Sequence, residues 1–198
     1  MKNIFIIEDH PIVLESLSSF FANTGKWKVL GTASSVEQAK VKLSDTGSFE
    51  VLLLDIQLED GWGLDIISWM QEQKMKMPLI AVYTAFDDYG HVSAAICLGA
   101  KAYITKRRNK QELEAAVLNA LNGIVCIDEA AQMKLNVVTS YTGMLTKRES
   151  EILTLVKSGL SNKDIAYKLD ISIRTVQNIL SCIYDKTGIK SRQELEKL

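Results

Sequence analysis

Short apolar runs, each followed by polar residues, recur through the first 120 residues of the chain. The clearest is Val51–Leu54, which runs directly into Asp55. A continuous apolar run of that length predicts a strand buried on both faces, as in a parallel sheet. Similar runs at residues 4–7, 27–31, 79–83 and 102–104 predict four more strands. Apolar residues at helical spacing alternate with these runs, so the pattern predicts an α/β fold with a five-stranded, doubly wound parallel sheet.

Four of the predicted strands end in side chains that can carry chemistry. Glu8 and Asp9 follow the first strand, Asp55 the third, Thr84 the fourth and Lys106 the fifth. Because the carboxyl ends of parallel strands meet at one edge of a sheet, we expect these groups to converge in one crevice. Clustered carboxylates repel one another unless a cation joins them, and ligands that are all oxygen favour Mg²⁺. The sequence therefore predicts a Mg²⁺ site in which Asp55 is a nucleophile toward a phosphoryl group, with Thr84 and Lys106 as its electrostatic partners.

Residues 144–198 have a different, all-helical pattern. A capping box pairs Thr146 with Glu149 at the start of the first tail helix. The predicted N-terminal residues of the four tail helices are Thr146, Ser161, Ser172 and Ser191. The second and third helices are short and joined by a tight turn, which predicts a helix-turn-helix.

The outward face of the third tail helix is rich in side chains that read nucleic acid. Arg, Gln and Asn make bidentate contacts with base edges in a major groove, whereas Lys contacts phosphates. The predicted DNA-contact residues are Lys163, Arg174, Thr175, Gln177, Asn178, Ser181 and Lys186. Residues 144–198 carry 10 Lys and Arg against 7 Asp and Glu, while residues 1–143 carry 13 against 17. Polyanion binding is therefore expected at the C-terminus, although the pattern alone leaves open a small helical protein-interaction domain.

The acidic strand ends resemble a known family over roughly residues 1–122, the receiver domain of two-component response regulators. The resemblance implies a flavodoxin-like fold, with Asp55 as the phosphoacceptor and Tyr103 as the aromatic switch residue. The Mg²⁺ ligands that it implies are Glu8, Asp9, Asp55 and the backbone carbonyl of Gln57. One departure is Arg107, which follows Lys106 where the family usually has a proline in a cis peptide.

The tail resembles the LuxR-type DNA-binding domain over residues 144–198. The segments that carry this resemblance are Leu145 to Glu149, Gly159 to Ala166, Ser172 to Asn178 and Lys186 to Gly188. With residues 123–143 as a linker, the whole chain resembles the NarL/FixJ class of response regulators. The resemblance implies a transcription regulator that a sensor histidine kinase phosphorylates and that binds double-stranded promoter DNA as a homodimer.

Two other functions stay open at this stage. Arg107 motivates a regulator that acts without phosphorylation. A phosphatase with Asp55 as nucleophile is the second, but the general acid of such enzymes would stand where Gln57 is, so a turnover enzyme is not expected. No apolar run is long enough to span a membrane, and the three cysteines are too widely spaced to predict a disulfide or zinc site, so a cytoplasmic location is expected.

Overall fold

The computed structural model describes residues 1–133, 145–189 and 191–195. They form two compact units. Residues Met1–Asp87 and Gly99–Asp128 make up the first unit, and residues Asp88–Leu98 and Glu129–Leu198 the second. The predicted linker ends at residue 143, outside the described residues.

The first unit is built on a parallel sheet. The strands of the described residues are β1 (Lys2–Ile7), β2 (Trp27–Ala33), β3 (Val51–Leu54), β4 (Gln57–Leu58), β5 (Gly61–Trp62), β6 (Leu79–Thr84), β7 (Ala102–Thr105) and β8 (Cys126–Ile127). The helices are α1 (Pro11–Asn23), α2 (Val36–Asp45), α3 (Gly63–Glu72), α4 (Tyr89–Cys97), α5 (Lys110–Leu121), α6 (Lys147–Lys157), α7 (Asn162–Leu169), α8 (Ile173–Thr187) and α9 (Arg192–Leu195). Six strands form one parallel sheet in the order β2-β1-β3-β6-β7-β8.

The five predicted strands and the α/β class are confirmed, but the parallel sheet has six strands where five were predicted. β8 lies in the segment predicted as linker and pairs with β7 through Ala102↔Cys126 and Tyr103↔Ile127. The hairpin of β4 and β5 was also missed. A strand of two residues is too short to show an alternation of apolar and polar residues, so it is recognised only from the strand with which it pairs.

The register of the sheet brings the strand ends to one edge. Every residue of β3 is buried, as its continuous apolar sequence predicts. Ile7 of β1 pairs with Leu54 of β3, and Leu54 pairs with Val82 of β6. Thr84 at the end of β6 pairs with Thr105 at the end of β7. The residues that follow these strands therefore leave the sheet side by side.

The second unit is helical. It contains α4 together with α6 to α9 and residues 129–133, which are also helical. Both halves of the predicted capping box are present, since the Thr146 side chain accepts from the backbone of Glu149 and the Glu149 side chain accepts from the backbone of Thr146. The turn between α7 and α8 passes through Asp170, which has a left-handed backbone conformation with φ of 51°. The predicted last helix is present as α9, and its expected extension to Leu198 lies outside the described residues.

Among the described residues, no helix has both the length and the apolar character needed to cross a membrane.

Candidate functional site

Asp55 lies at the carboxyl end of β3 and is only 5% exposed. Its backbone N–H donates to the Ile7 carbonyl at 3.0 Å, which continues the pairing of β1 and β3 by one residue. One carboxylate oxygen, Oδ1, accepts from the backbone N–H of Ile56 at 2.7 Å. The other, Oδ2, lies 2.6 Å from the Lys106 ammonium. The carboxylate is thus fixed in orientation, with both oxygens already hydrogen-bonded.

Lys106 joins two carboxylates that come from different strands. Its ammonium lies 2.6 Å from Asp55 Oδ2 and 2.7 Å from Glu8 Oε2. Burial would by itself lower the pKa of Lys106, but the hydrogen bonds and charges of Asp55 and Glu8 outweigh it and raise that pKa above its ordinary value. Burial raises the pKa of Glu8, and the hydrogen bond from Lys106 opposes that rise only in part. The ammonium is therefore the countercharge of a buried acidic pair.

Asp9 and His10 complete a cluster of possible ligands at this edge. Oxygens of Glu8, Asp9 and Asp55 and a ring nitrogen of His10 all lie within 4.8 Å of one another. His10 is the N-cap residue of α1, and its Nδ1 lies 2.7 Å from Asp9 Oδ1. The predicted convergence of the three carboxylates is therefore present, and His10 stands beside them.

Thr84, at the end of β6, and Tyr103, within the neighbouring strand β7, are both fully buried. The backbone carbonyl of Thr84 accepts from the Lys106 backbone N–H at 2.7 Å. The Tyr103 hydroxyl donates to the Phe86 carbonyl at 3.0 Å, so the predicted switch residue points inward. All the peptide bonds of the described residues are trans, including the one between Lys106 and Arg107.

The loop after Asp55 approaches it so closely that glycine is required at one position. Gln57, whose carbonyl is a predicted metal ligand, lies in β4 opposite Trp62. The N–H of Gly63 donates to the Ile56 carbonyl at 2.6 Å. A Cβ on Gly63 would lie 1.9 Å from the Asp55 carbonyl oxygen, far inside any real contact. The close approach of Gly63 to Asp55 is a tertiary contact, so no local sequence pattern indicates it.

Most of the predicted DNA-contact residues lie on one face of α8 or beside it. Positions 174, 177, 178 and 181 are spaced three and four apart, so they share a face of the helix. Gln177 and Ser181 are exposed, and so is Lys163 on α7, while Arg174 and Asn178 are partly exposed. The opposite face buries Val176, Ile179, Leu180 and Ile183. The amphipathic third helix predicted from the sequence is thereby confirmed.

Two predicted DNA contacts have surroundings that the sequence did not indicate. Thr175 was predicted to face outward, and this is wrong: it is 6% exposed and its hydroxyl lies 2.9 Å from the Ser172 hydroxyl. It belongs to the buried stripe because Ile179 and Ile183 follow it at intervals of four. The Lys186 ammonium lies 2.8 and 2.9 Å from the two oxygens of Glu149, which is completely buried. Lys186 thus neutralises a core carboxylate, and its contact with DNA stays a prediction.

Two protein families match the chain. Residues 4–118 match the response regulator receiver domain, and residues 143–197 match the bacterial regulatory proteins of the luxR family. The transcriptional regulatory protein DesR of Bacillus subtilis (strain 168) is 30% identical, covering 98% of this chain and 94% of that protein. The nitrate/nitrite response regulator protein NarL of Escherichia coli (strain K12) is 29% identical, covering 96% and 91%.

A solved structure shares the fold over the whole chain. RcsB from Salmonella enterica serovar Typhimurium, bound to a promoter in the presence of the phosphomimetic BeF3−, superposes with a TM-score of 0.64 at 23% identity. The alignment covers 99% of this chain and 96% of that one. From its two matched domains and its full-length relatives, the chain belongs to the NarL/FixJ class of two-component response regulators, transcription regulators with a receiver domain and a LuxR-type helix-turn-helix domain.

Proposed function

We propose that Asp55 accepts a phosphoryl group and that this modification controls DNA binding by the tail domain. The observation that carries the proposal is the bridge in which the Lys106 ammonium lies within 2.7 Å of both Asp55 and Glu8 at the carboxyl edge of the sheet. A carboxylate oxygen of Asp55 attacks phosphorus, and the bond from phosphorus to the donor's leaving atom breaks with its electron pair. The donor is a phosphohistidine of a sensor kinase or a small acyl phosphate, and the product is an acyl phosphate on Asp55.

The donor atoms at this edge fit Mg²⁺. Oxygens of Glu8, Asp9 and Asp55 lie within 4.8 Å of one another, and hard oxygen ligands suit this ion. These three carboxylates and the carbonyl of Gln57 would hold it, and it would neutralise charge on the transferring group. The three carboxylates outnumber the ammonium of Lys106, and this excess of negative charge favours the binding of a metal ion.

Once Asp55 is modified, the neighbouring residues respond to a new dianion. The Lys106 ammonium forms a charge-assisted hydrogen bond with a phosphoryl oxygen, and the Thr84 hydroxyl donates to another. The Tyr103 hydroxyl donates to the carbonyl of Phe86, which follows Thr84 by two residues. A shift of the loop after β6 therefore changes the surroundings of Tyr103 and biases a conformational equilibrium of the receiver.

The tail domain is the output. The exposed face of α8 enters the major groove of double-stranded DNA, and its Arg, Gln and Asn side chains contact base edges. Phosphorylation favours homodimers, whose two recognition helices meet half-sites about one helical turn apart. The cluster accepts one phosphoryl group and has Gln57 where a second acid would serve turnover, so the protein is not a turnover enzyme.

The proposal is tested by DNA affinity and solution mass before and after acetyl phosphate treatment with Mg²⁺, in wild type and in Asp55→Asn. The probe is a duplex selected from random sequence with the treated wild-type protein. Treatment should raise the affinity and the mass of the wild type only. If Asp55→Asn binds as tightly as treated wild type and forms the same dimers, the regulator works without phosphorylation.

A further inference from the structure

Asp128 is a buried acid in the predicted linker, outside the acidic cluster. It follows β8 and is 7% exposed. Its backbone N–H donates to the Tyr103 carbonyl at 2.8 Å, which extends the pairing of β7 and β8. Asp128 is the last residue of the first unit, and the chain continues from it into the second unit at Glu129.

The carboxylate of Asp128 holds both flanks of the loop that carries Lys106. Its Oδ2 accepts from the Thr105 hydroxyl at 2.5 Å and from the Thr105 backbone N–H at 3.3 Å. Its Oδ1 accepts from Arg108 Nη2 at 3.1 Å and from Nε at 3.3 Å. Although burial opposes it, the hydrogen bonds from Thr105 and Arg108 hold the pKa of Asp128 below its ordinary value. The residue just before Lys106 and the residue two positions after it are thus tied to one carboxylate.

The loop between these two contacts is a closed turn. The Arg108 backbone N–H donates to the Thr105 carbonyl at 3.0 Å, which closes residues 105–108 on themselves. Lys106 protrudes from this turn toward Asp55 and Glu8. The hydrogen bonds of Thr105 and Arg108 therefore connect the backbone on both sides of Lys106 to the carboxylate of Asp128.

We propose that Asp128 is a positioning residue that couples the Lys106 turn to the chain segment leading into the DNA-binding domain. This inference rests on the proposed phosphorylation of Asp55. When Lys106 follows the new phosphoryl oxygens, Thr105 and Arg108 move with it and carry Asp128 along. The segment from residue 129 onward begins one peptide bond later, so it receives the displacement directly.

Asp128→Asn tests the coupling with almost no change of volume. An asparagine amide has one acceptor oxygen, so its NH₂ group must face the donors of either Thr105 or Arg108. The hydrogen bonds on that side are lost. Glu129→Gln is the matched control, because it removes the same charge from the next residue, which is exposed. Each variant and the wild type are treated with acetyl phosphate and Mg²⁺. Phosphoryl uptake is read by intact mass, and the ratio of DNA affinities with and without treatment is read on the selected duplex.

The expected result separates phosphorylation from its output. All three proteins should gain one phosphoryl group at similar rates. In wild type and Glu129→Gln, treatment should raise the DNA affinity by about 5- to 150-fold, whereas in Asp128→Asn it should raise it by less than about 3-fold. A merely structural role for Asp128 would weaken binding in both states and leave the ratio unchanged.

Two results would overturn the coupling by Asp128. One is a wild-type ratio in Asp128→Asn. The other is a failure of folded Asp128→Asn to take up the phosphoryl group, because Asp128 would then act on the acceptor itself. If Asp128→Asn does not fold, Arg108→Gln gives the same test, because it removes the ion pair with Asp128 by changing a side chain that is 41% exposed. A wild-type protein that gains the phosphoryl group with no change in affinity would instead refute the proposed function.

Discussion

Replacing Lys106 by methionine removes the countercharge of a buried acidic pair and keeps most of the length of the side chain. In the native protein the ammonium lies 2.6 Å from Asp55 and 2.7 Å from Glu8, whose side chains are 6% and 1% exposed. Breaking a buried ion pair from one side leaves its carboxylates without their countercharge, which is destabilising by about 3–5 kcal/mol. We therefore expect a large loss of stability in the first unit.

The size of that loss is limited by protonation of Glu8. The ordinary pKa of this side chain is 4.5, and burial already raises it in the native protein. Holding such a group protonated at pH 7 costs about 3 kcal/mol, since each pH unit is worth about 1.4 kcal/mol. In the variant Glu8 adopts the protonation state of lower free energy. Lys106→Met should therefore lower the free energy of unfolding by about 3 kcal/mol at pH 7.

The pH dependence follows from the sign of the pKa change. A carboxyl group whose pKa is raised in the folded state lowers stability at high pH, and this penalty disappears as the pH falls to the pKa of the unfolded chain. Losing Lys106 raises the pKa of folded Glu8 further. The difference in stability between wild type and Lys106→Met should therefore shrink by about 1.4 kcal/mol per pH unit below neutrality, until it is small near pH 4.5.

Urea unfolding followed by tryptophan fluorescence measures this difference, because Trp27, Trp62 and Trp69 all lie in the first unit. The experiment is done with EDTA. Lys26→Met is the matched control: Lys26 also pairs with a glutamate, at 3.2 Å, but is 57% exposed, so less than about 1 kcal/mol should be lost. An equal loss at pH 7 and pH 5, or a loss for Lys106→Met no larger than the control, would refute the reasoning.

Two further substitutions test the packing around the proposed acceptor and the fold of the tail. Gly63→Ala should lower the free energy of unfolding by about 2–3 kcal/mol or more and slow phosphoryl uptake, because the new Cβ would collide with the Asp55 carbonyl. Gly47→Ala is the control, since its Cβ meets no atom within 4 Å and should have little effect on either measurement. Lys186→Met should lower the melting temperature of the tail markedly, with a loss of about 3 kcal/mol, because it strands the fully buried Glu149; a melting temperature within a degree of wild type would contradict that role.

The sequence was informative about the fold wherever the pattern was local and long. The apolar run Val51–Leu54 ends at Asp55 because a doubly covered strand must be apolar until it leaves the sheet. The pairing of Thr146 with Glu149 was equally predictable, since the two residues of a capping box are only three positions apart. The convergence of the acidic residues followed from the parallel topology alone.

What the sequence did not reveal depends on distant partners or on very short elements. Asp128 contacts Thr105 across 23 positions, and Lys186 contacts Glu149 across 37. Neither separation leaves a periodic signal. The inward turn of Thr175 was missed because a hydroxyl-bearing residue reads as polar, although its place in the helix puts it on the apolar stripe.

The central claim is that Asp55 is the acceptor of a Mg²⁺-dependent phosphoryl transfer, and intact mass tests it most directly. Wild type, Asp55→Asn and Asp45→Asn are incubated with acetyl phosphate, with Mg²⁺ or with EDTA; Asp45 is an exposed aspartate at the end of α2. The account predicts one added phosphoryl group on wild type and on Asp45→Asn with Mg²⁺, and none on Asp55→Asn. An equal gain in Asp55→Asn, or no gain in wild type with either acetyl phosphate or a phosphorylated kinase, would contradict it.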